Sequence, residues 1–158
     1  MNNNQRSLSR YLAVQAIYQI NETSITCDEI LCQFDKHYIN NICFDFKNSF
    51  KESFLKADKN YFKNIIENYF LRKTKVIELI SSNLSENWTI ERLPKVLQAI
   101  IKVSIVEMMI SPNLSLAIVA SEYIILTETF FTKKESSFIN ALIEKIYKII
   151  KNEELHKQ

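Results

Sequence analysis

The sequence predicts an all-α protein, for three reasons. Apolar residues recur at the three- and four-residue spacing of a helix in several separate stretches. No stretch alternates apolar and polar residues, as a half-buried strand does. The chain has 158 residues, 47% of them hydrophobic, so it can bury a core of packed helices in one domain or in two small subdomains.

The first predicted helix covers residues 6–21, where one side is apolar and the other polar. Arg6 and Arg10 lie one turn apart at the border of the two sides. Residues 2–5 have no pattern, so we expect a polar, mobile arm before the helix. An arm beside two arginines can follow a phosphate backbone.

Residues 23–57 give a weaker signal. A short helix is expected over about residues 27–38, followed by a connection rich in Asn, Phe and Lys. Asp58 is a suitable N-cap for a long helix whose apolar spacing continues to Leu84. Serine and asparagine residues then end that helix.

A central helix is predicted within residues 88–110, which have the most evenly apolar helical pattern in the chain. Pro94 suits its first turn, where a missing N–H costs nothing. The helix should be buried over most of its circumference. We expect only a narrow strip to reach solvent or a ligand, formed by Lys95, Gln98, Lys102 and Met109.

Glu107 breaks the pattern from inside the apolar arc of that helix. We expect its side chain to be buried and to accept hydrogen bonds from free N–H groups at the start of a neighbouring helix. Such a carboxylate would tie two helices together, so its replacement by Gln should lower stability.

Two further helices complete the expected order. Pro112 ends the central helix, and Ser115 or Asn113 can cap the next, over about residues 116–130. Residues 132–137 are interpreted as a polar loop that contains Lys133 and Lys134, with the last helix beginning at Ser136 or Ser137.

Composition limits the class of function. The chain has no glycine, whereas phosphate-cradling loops and nucleophile elbows need residues that tolerate φ > 0 and a close backbone approach. Three cysteines without a CxxC pair fit neither a disulfide framework nor a usual zinc site. We find no nucleophile with a base and an orienting group. We therefore expect no enzyme activity, no cofactor and no metal.

Charge and hydropathy give weaker constraints. The formal net charge of +2 does not by itself indicate nucleic-acid binding, so any such role depends on local clusters. No apolar run reaches the length of a membrane span, and the first residues do not resemble a signal peptide. We expect a cytoplasmic protein that does not bind membranes.

Five stretches carry a family resemblance. In chain order they are RYLAVQAIYQ, the W-x-x-x-R of Trp88 and Arg92, the I-I-K-x-x-x-x-E of residues 100–107, AIVASEYIILTETF, and SSFINALIEKI. Together they resemble the NusB family of bacterial transcription antitermination factors. The resemblance implies one all-α domain over residues 1–158, made of two small helical bundles that we place at residues 1–84 and 85–152.

The same resemblance implies a non-enzymatic factor that promotes readthrough by RNA polymerase, chiefly on ribosomal RNA operons. It implies a pair with a small-subunit ribosomal protein that doubles as the factor NusE. The pair would bind boxA-type single-stranded RNA in the elongation complex. Whether the free protein is a monomer or a homodimer stays open.

The resemblance also assigns two groups of residues. The RNA-binding group is Arg6, Arg10, Lys102 and Phe138. The group that faces the ribosomal-protein partner is Tyr18, Glu91 and Phe130. Lys102 stands where the family usually has arginine; lysine lacks the planar fork, so phosphate contacts can survive while base contacts weaken.

Three other departures concern the same surfaces. The N-terminal arm is less arginine-rich than usual, and Ala141 replaces a usual glycine. Lys133 and Lys134 occupy a loop that is often acidic in the family. These changes predict weaker electrostatics at the arm and an altered contact at the loop.

These residues, and the chain as a whole, also fit simpler interpretations. Arginines and lysines are usually solvated charges, and an aromatic residue is more often core than a platform for bases. One alternative function is the RNA-guiding module of an rRNA methyltransferase system, because such enzymes carry a NusB-like domain; this chain has no cofactor domain, so a separate subunit would be needed. Another is a helical protein–protein adaptor without RNA affinity.

Overall fold

The computed structural model describes residues 3–40, 42–43 and 54–157. Within these ranges the chain is mainly helical, which confirms the all-α prediction. A 3-10 turn, Ile90–Arg92, precedes the fourth helix. The α-helices are α1 (Asn3–Glu22), α2 (Cys27–His37), α3 (Lys59–Asn83), α4 (Lys95–Ile110), α5 (Leu116–Phe130) and α6 (Lys133–Leu155).

Two very short strands lie between α2 and α3. Strand β1 (Ile42–Cys43) pairs antiparallel with β2 (Phe54–Leu55). An alternation of apolar and polar residues could not reveal these strands in the sequence, because each strand has only two residues. Most of the Asn/Phe/Lys-rich connection predicted here lies outside the described residues.

The chain divides into two compact units, Met1–Glu67 and Asn68–Gln158. The division falls inside α3, whereas the boundary taken from the sequence lies after residue 84. Because α3 is one unbroken helix of 25 residues, its apolar pattern does not mark the change of unit. The subdivision into residues 1–84 and 85–152 remains a prediction.

In the first unit, α1 and α2 are joined by a pair of amides. Gln19 and Gln33 each donate an N–H to the carboxamide oxygen of the other, at 2.9 and 3.0 Å. The apolar face of α1 is buried as its spacing predicts. Its buried residues are Leu8, Leu12, Ala13, Val14, Ala16, Ile17 and Ile20.

The start of α1 differs from the expected mobile arm, because the backbone is helical from Asn3 onward. The carbonyl oxygen of Gln5 accepts from the Ser9 hydroxyl at 2.9 Å and from the Asp58 backbone N–H at 3.3 Å. These bonds hold the first turn in place. Asp58 caps α3 as predicted, since its Oδ1 accepts from the Tyr61 backbone N–H at 3.0 Å.

In the second unit, α4 packs against α5 and α6, which also pack against each other. Every side chain of α4 from Ala99 to Met108 is buried, which confirms that this helix is surrounded over most of its circumference. Pro94 lies directly before the first helical residue rather than inside the first turn.

Glu107 is completely buried, as predicted. The hydroxyl of Tyr123, on α5, donates to its Oε2 at 2.5 Å. The start of α5 is capped by its own Ser115, whose Oγ accepts from the Ile118 backbone N–H at 3.3 Å. The carboxylate therefore joins α4 to α5 through the hydroxyl of a tyrosine.

The last helix begins at Lys133, earlier than the predicted Ser136 or Ser137. Thr132 precedes it, and both the backbone N–H and the hydroxyl of Thr132 donate to the Glu135 carboxylate, at 3.0 and 2.6 Å. This is a capping box, formed by a threonine and a glutamate three residues later. Lys133 and Lys134 are therefore helical and exposed, not part of a loop.

The same T-x-x-E pattern begins α2. The backbone N–H of Thr26 donates to the Glu29 carboxylate at 2.8 Å, and the Glu29 backbone N–H donates to the Thr26 hydroxyl at 3.3 Å. The backbone hydrogen bond from Thr26 lowers the pKa of Glu29. In the capping box of α6, the hydrogen bond from the Thr132 side chain is the main cause that lowers the pKa of Glu135.

Candidate functional site

Arg6 and Arg10 meet at one aromatic ring in the first unit. Their Cζ atoms lie 4.9 and 5.6 Å from the ring centroid of Tyr61, near the start of α3. Arg10 Nη2 also lies 3.5 Å from the Tyr61 hydroxyl as a hydrogen-bond donor. These distances are those of cation–π contacts. The helical spacing predicted that the two arginines are neighbours, and Tyr61 fixes where their charges lie.

The two arginines differ in accessibility. Arg10 is only 3% exposed, whereas Arg6 is half-buried. Arg10 therefore acts mainly as a structural link between α1 and α3, and Arg6 offers more surface to a ligand. Tyr61 was missed in the sequence because it is separated from Arg10 by 51 positions, and no local pattern relates the two.

A cleft of about 280 Å³ lies beside α4 in the second unit. It contains one residue from each predicted group, since both Lys102 and Glu91 line it. We call it the α4 cleft. Its lining residues are Ile77, Ile90, Glu91, Lys95, Gln98 and Lys102.

Three members of the predicted polar strip of α4 do line this cleft, but they are not equally exposed. Lys95 is exposed and Gln98 half-buried, whereas Lys102 is only 6% exposed. A lysine can bury its aliphatic stem and keep its ammonium group near water. Helical periodicity correctly placed Lys102 on the same side of α4 as Lys95 and Gln98, but it could not indicate how deeply the side chain is buried.

Glu91 and Gln98 are fixed by hydrogen bonds within their own segments. The backbone N–H of Glu91 is the main cause that lowers the pKa of its carboxyl, followed by a hydrogen bond with the Thr89 side chain; the charge of Lys102 contributes less. The side-chain N–H of Gln98 donates to the Leu93 carbonyl oxygen at 2.9 Å. Both side chains are thus oriented before a ligand arrives.

The remaining predicted residues are aromatic. Phe138 is half-buried on α6, and Phe130, the last residue of α5, is 42% exposed. Tyr18 is 40% exposed on α1 and lines a groove of about 350 Å³ together with Phe34 and Tyr38 of the first unit. The rings of Tyr18 and Phe130 are therefore accessible, whereas Phe138 is partly covered.

In the described ranges, no group of three or more His, Cys, Asp and Glu side chains is arranged to hold a metal ion. Among the helices that the structure describes, none has the length and apolar character needed to cross a bilayer. Burial is the main cause that raises the pKa of the Cys27 thiol, which favours its neutral form.

Comparison with known proteins gives consistent results. A profile of the NusB family matches residues 7–148. The transcription antitermination protein NusB of Sinorhizobium fredii is 29% identical over 150 residues, covering 95% of this chain and 90% of that protein. Its counterpart in Agrobacterium fabrum is 27% identical, with coverages of 95% and 87%. A solved structure of T. maritima NusB superposes with a TM-score of 0.69 over 90% of each chain, at 19% identity, and shows the same fold.

Proposed function

The chain belongs to the NusB family, and from this premise we propose that it is a transcription antitermination factor that binds boxA-type RNA together with a small-subunit ribosomal protein. The observation that carries the proposal is the family match, which extends from α1 into α6. The family consists of non-enzymatic transcription factors, in agreement with the prediction that the chain is not an enzyme. We expect it to act in the cytoplasm, on the elongation complex of RNA polymerase.

The arginine pair is the best-supported part of the proposed RNA surface. Arg6 and Arg10 share the ring of Tyr61, so two positive charges are held at one place before RNA arrives. Charges held in this way lose less conformational entropy on binding than freely rotating side chains. Arg6, the more exposed of the two, can make the phosphate contacts that position RNA and make its affinity depend on salt, whereas Arg10 is only 3% exposed and contributes its positive charge without direct contact.

Lys102 and Phe138 are proposed as the second part of the RNA surface. Lys102 is only 6% exposed and lines the α4 cleft, so we expect a ligand to reach it there. Phe138 is half-buried on α6, so part of its ring can contact a ligand. Single-stranded RNA is commonly read by bases that stack on aromatic rings.

The partner surface is proposed at Tyr18, Glu91 and Phe130. All three are exposed, and two of them are aromatic. Exposed tyrosine and phenylalanine side chains are enriched in protein interfaces because they bury a large area. We propose that the ribosomal protein covers the two aromatic residues, Tyr18 and Phe130, and extends the RNA-binding surface.

Fluorescence anisotropy with labelled boxA RNA tests the proposal, with and without the ribosomal protein, at about 50 and 200 mM salt. We expect modest binding by the protein alone, tighter binding with the partner, and weaker binding at the higher salt concentration. A scrambled RNA of equal length controls for non-specific binding.

Two variants with the same loss of charge locate the RNA surface. Arg6→Gln should weaken RNA binding, whereas Arg72→Gln should not, because Arg72 is an exposed arginine of α3 outside the proposed surface. Absence of RNA binding at low salt, with and without the ribosomal protein, would refute the RNA function. Continued binding of the ribosomal protein would then indicate an adaptor.

A further inference from the structure

We propose that the α4 cleft binds one unstacked nucleobase of the RNA and selects guanine. This inference rests on the proposed function, since it requires single-stranded RNA as the ligand. It also gives Glu91 a different task from the one carried over by resemblance, because Glu91 lines the same cleft as Lys102.

The size and walls of the cleft suit a single base. Its volume of about 280 Å³ lies just below that of pockets for drug-sized molecules, which begin at about 300 Å³. Ile77 and Ile90 supply apolar surface, and Ile90 is almost completely buried. A base has two flat apolar faces and a polar edge, so it can lie against isoleucine side chains while its edge meets polar groups.

The polar groups of the cleft match the edge of guanine. The Glu91 carboxylate only accepts hydrogen bonds at neutral pH, and the Lys102 ammonium group only donates them. The Watson–Crick edge of guanine has two adjacent N–H donors, at N1 and N2, beside the acceptor O6. A carboxylate can accept from both donors while the ammonium group donates to O6, which gives two charge-assisted contacts on one base.

A backbone phosphate is a poorer occupant of the same cleft. It would approach the negative charge of Glu91, and like charges at close range repel. Lys102 is nine-tenths buried, so a ligand must enter the cleft to reach it, and a planar base does so more easily than a phosphate joined to two riboses. Lys95, which is exposed, can instead contact a phosphate outside the cleft.

Inosine provides a direct test, because it keeps N1–H and O6 but lacks the 2-amino group of guanine. Each guanosine of the boxA RNA is replaced in turn by inosine, and affinity is measured with the ribosomal protein present. We expect one position at which the wild-type protein loses about tenfold in affinity, which is in the range of one bidentate contact.

The variant Glu91→Gln should lose this discrimination, because its amide cannot accept from both N–H groups of the base. Glu86→Gln is the matched control: Glu86 is exposed, lies outside the cleft, and undergoes the same change of charge. It should keep the tenfold preference. Thermal melting of both variants checks that the fold is intact.

The outcomes separate this inference from the proposed function. No RNA binding by the wild-type protein and its partner would refute both. RNA binding without an inosine-sensitive position, or with the same sensitivity in Glu91→Gln, would overturn the base cleft and leave the function standing. If Glu91→Gln instead weakened binding of the ribosomal protein and kept base discrimination, the cleft would belong to the protein interface, and our inference would be wrong.

Discussion

Replacing Tyr123 by Phe removes a single hydroxyl from the buried junction of α4 and α5. That hydroxyl donates to Glu107 Oε2 at 2.5 Å, and both side chains are completely buried. The ring and its packing stay in place, so the change isolates one hydrogen bond. The Glu107 oxygen then lacks this donor in a region that water does not reach.

Removing one partner of a buried hydrogen bond costs about 1–3 kcal/mol, and the complete burial here indicates about 2 kcal/mol. For a protein of this size, 1 kcal/mol corresponds to about 2–4 °C, so the melting temperature should fall by about 4–8 °C. RNA affinity should change little, because neither residue is exposed.

Differential scanning calorimetry measures this effect, and Tyr147→Phe is a matched control. The Tyr147 hydroxyl donates to the neutral carbonyl oxygen of Leu114 at 2.9 Å, and its side chain is only half-buried. Its removal should cost less. If Tyr123→Phe lowered the melting temperature no more than Tyr147→Phe, a stabilising role for the buried pair would be excluded. Tyr123→Phe combined with Glu107→Gln should be less destabilising than the sum of the two changes.

Two other predictions concern the arginine pair and the capping boxes. Tyr61→Ala should lower stability by roughly 1 kcal/mol, because Arg6 and Arg10 lose a shared ring, and should also reduce RNA affinity, because the arginines are no longer held at one place. Tyr61→Phe should retain most of both, and equal losses in both variants would contradict the cation–π argument. The pKa values of Glu29 and Glu135 are lowered from 4.5 in the folded state. Their stabilising effect should therefore be present above that pH and be lost as the pH falls through the lowered values. Melting from pH ~7 to ~3 should show this loss, and combined Gln substitutions at both sites should reduce the pH dependence.

The helices of this protein could be predicted from sequence where apolar spacing is regular. The early start of α6 was missed although its signal was present, because Thr132 and Glu135 have the spacing of a capping box. Spacing within one helix also predicted that Arg6 and Arg10 are neighbours. It could not predict the contact with Tyr61, since that depends on how α1 and α3 pack.

The α4 cleft shows the same limit of sequence reasoning. Periodicity identified the strip that contains Gln98 and Lys102, because that depends on one helix alone. The burial of Lys102 depends on residues outside α4, such as Ile77 of α3, which forms part of the cleft wall. Glu91 belongs to the 3-10 turn Ile90–Arg92, so the periodicity of α4 could not place it in the same cleft. The family resemblance assigned Lys102 and Glu91 to different ligands, and only the three-dimensional structure places them in one cleft.

The amide pair between α1 and α2 has a consequence for experiments in which the buffer is varied. Gln19 and Gln33 hold the two helices together through neutral groups. Mobile ions screen attraction between charges, but they have little effect on hydrogen bonds between carboxamides. The contact between α1 and α2 should therefore persist over the whole range of ionic strength used in RNA titrations. A change in affinity across such a series then reports on contacts with the ligand rather than on separation of these helices.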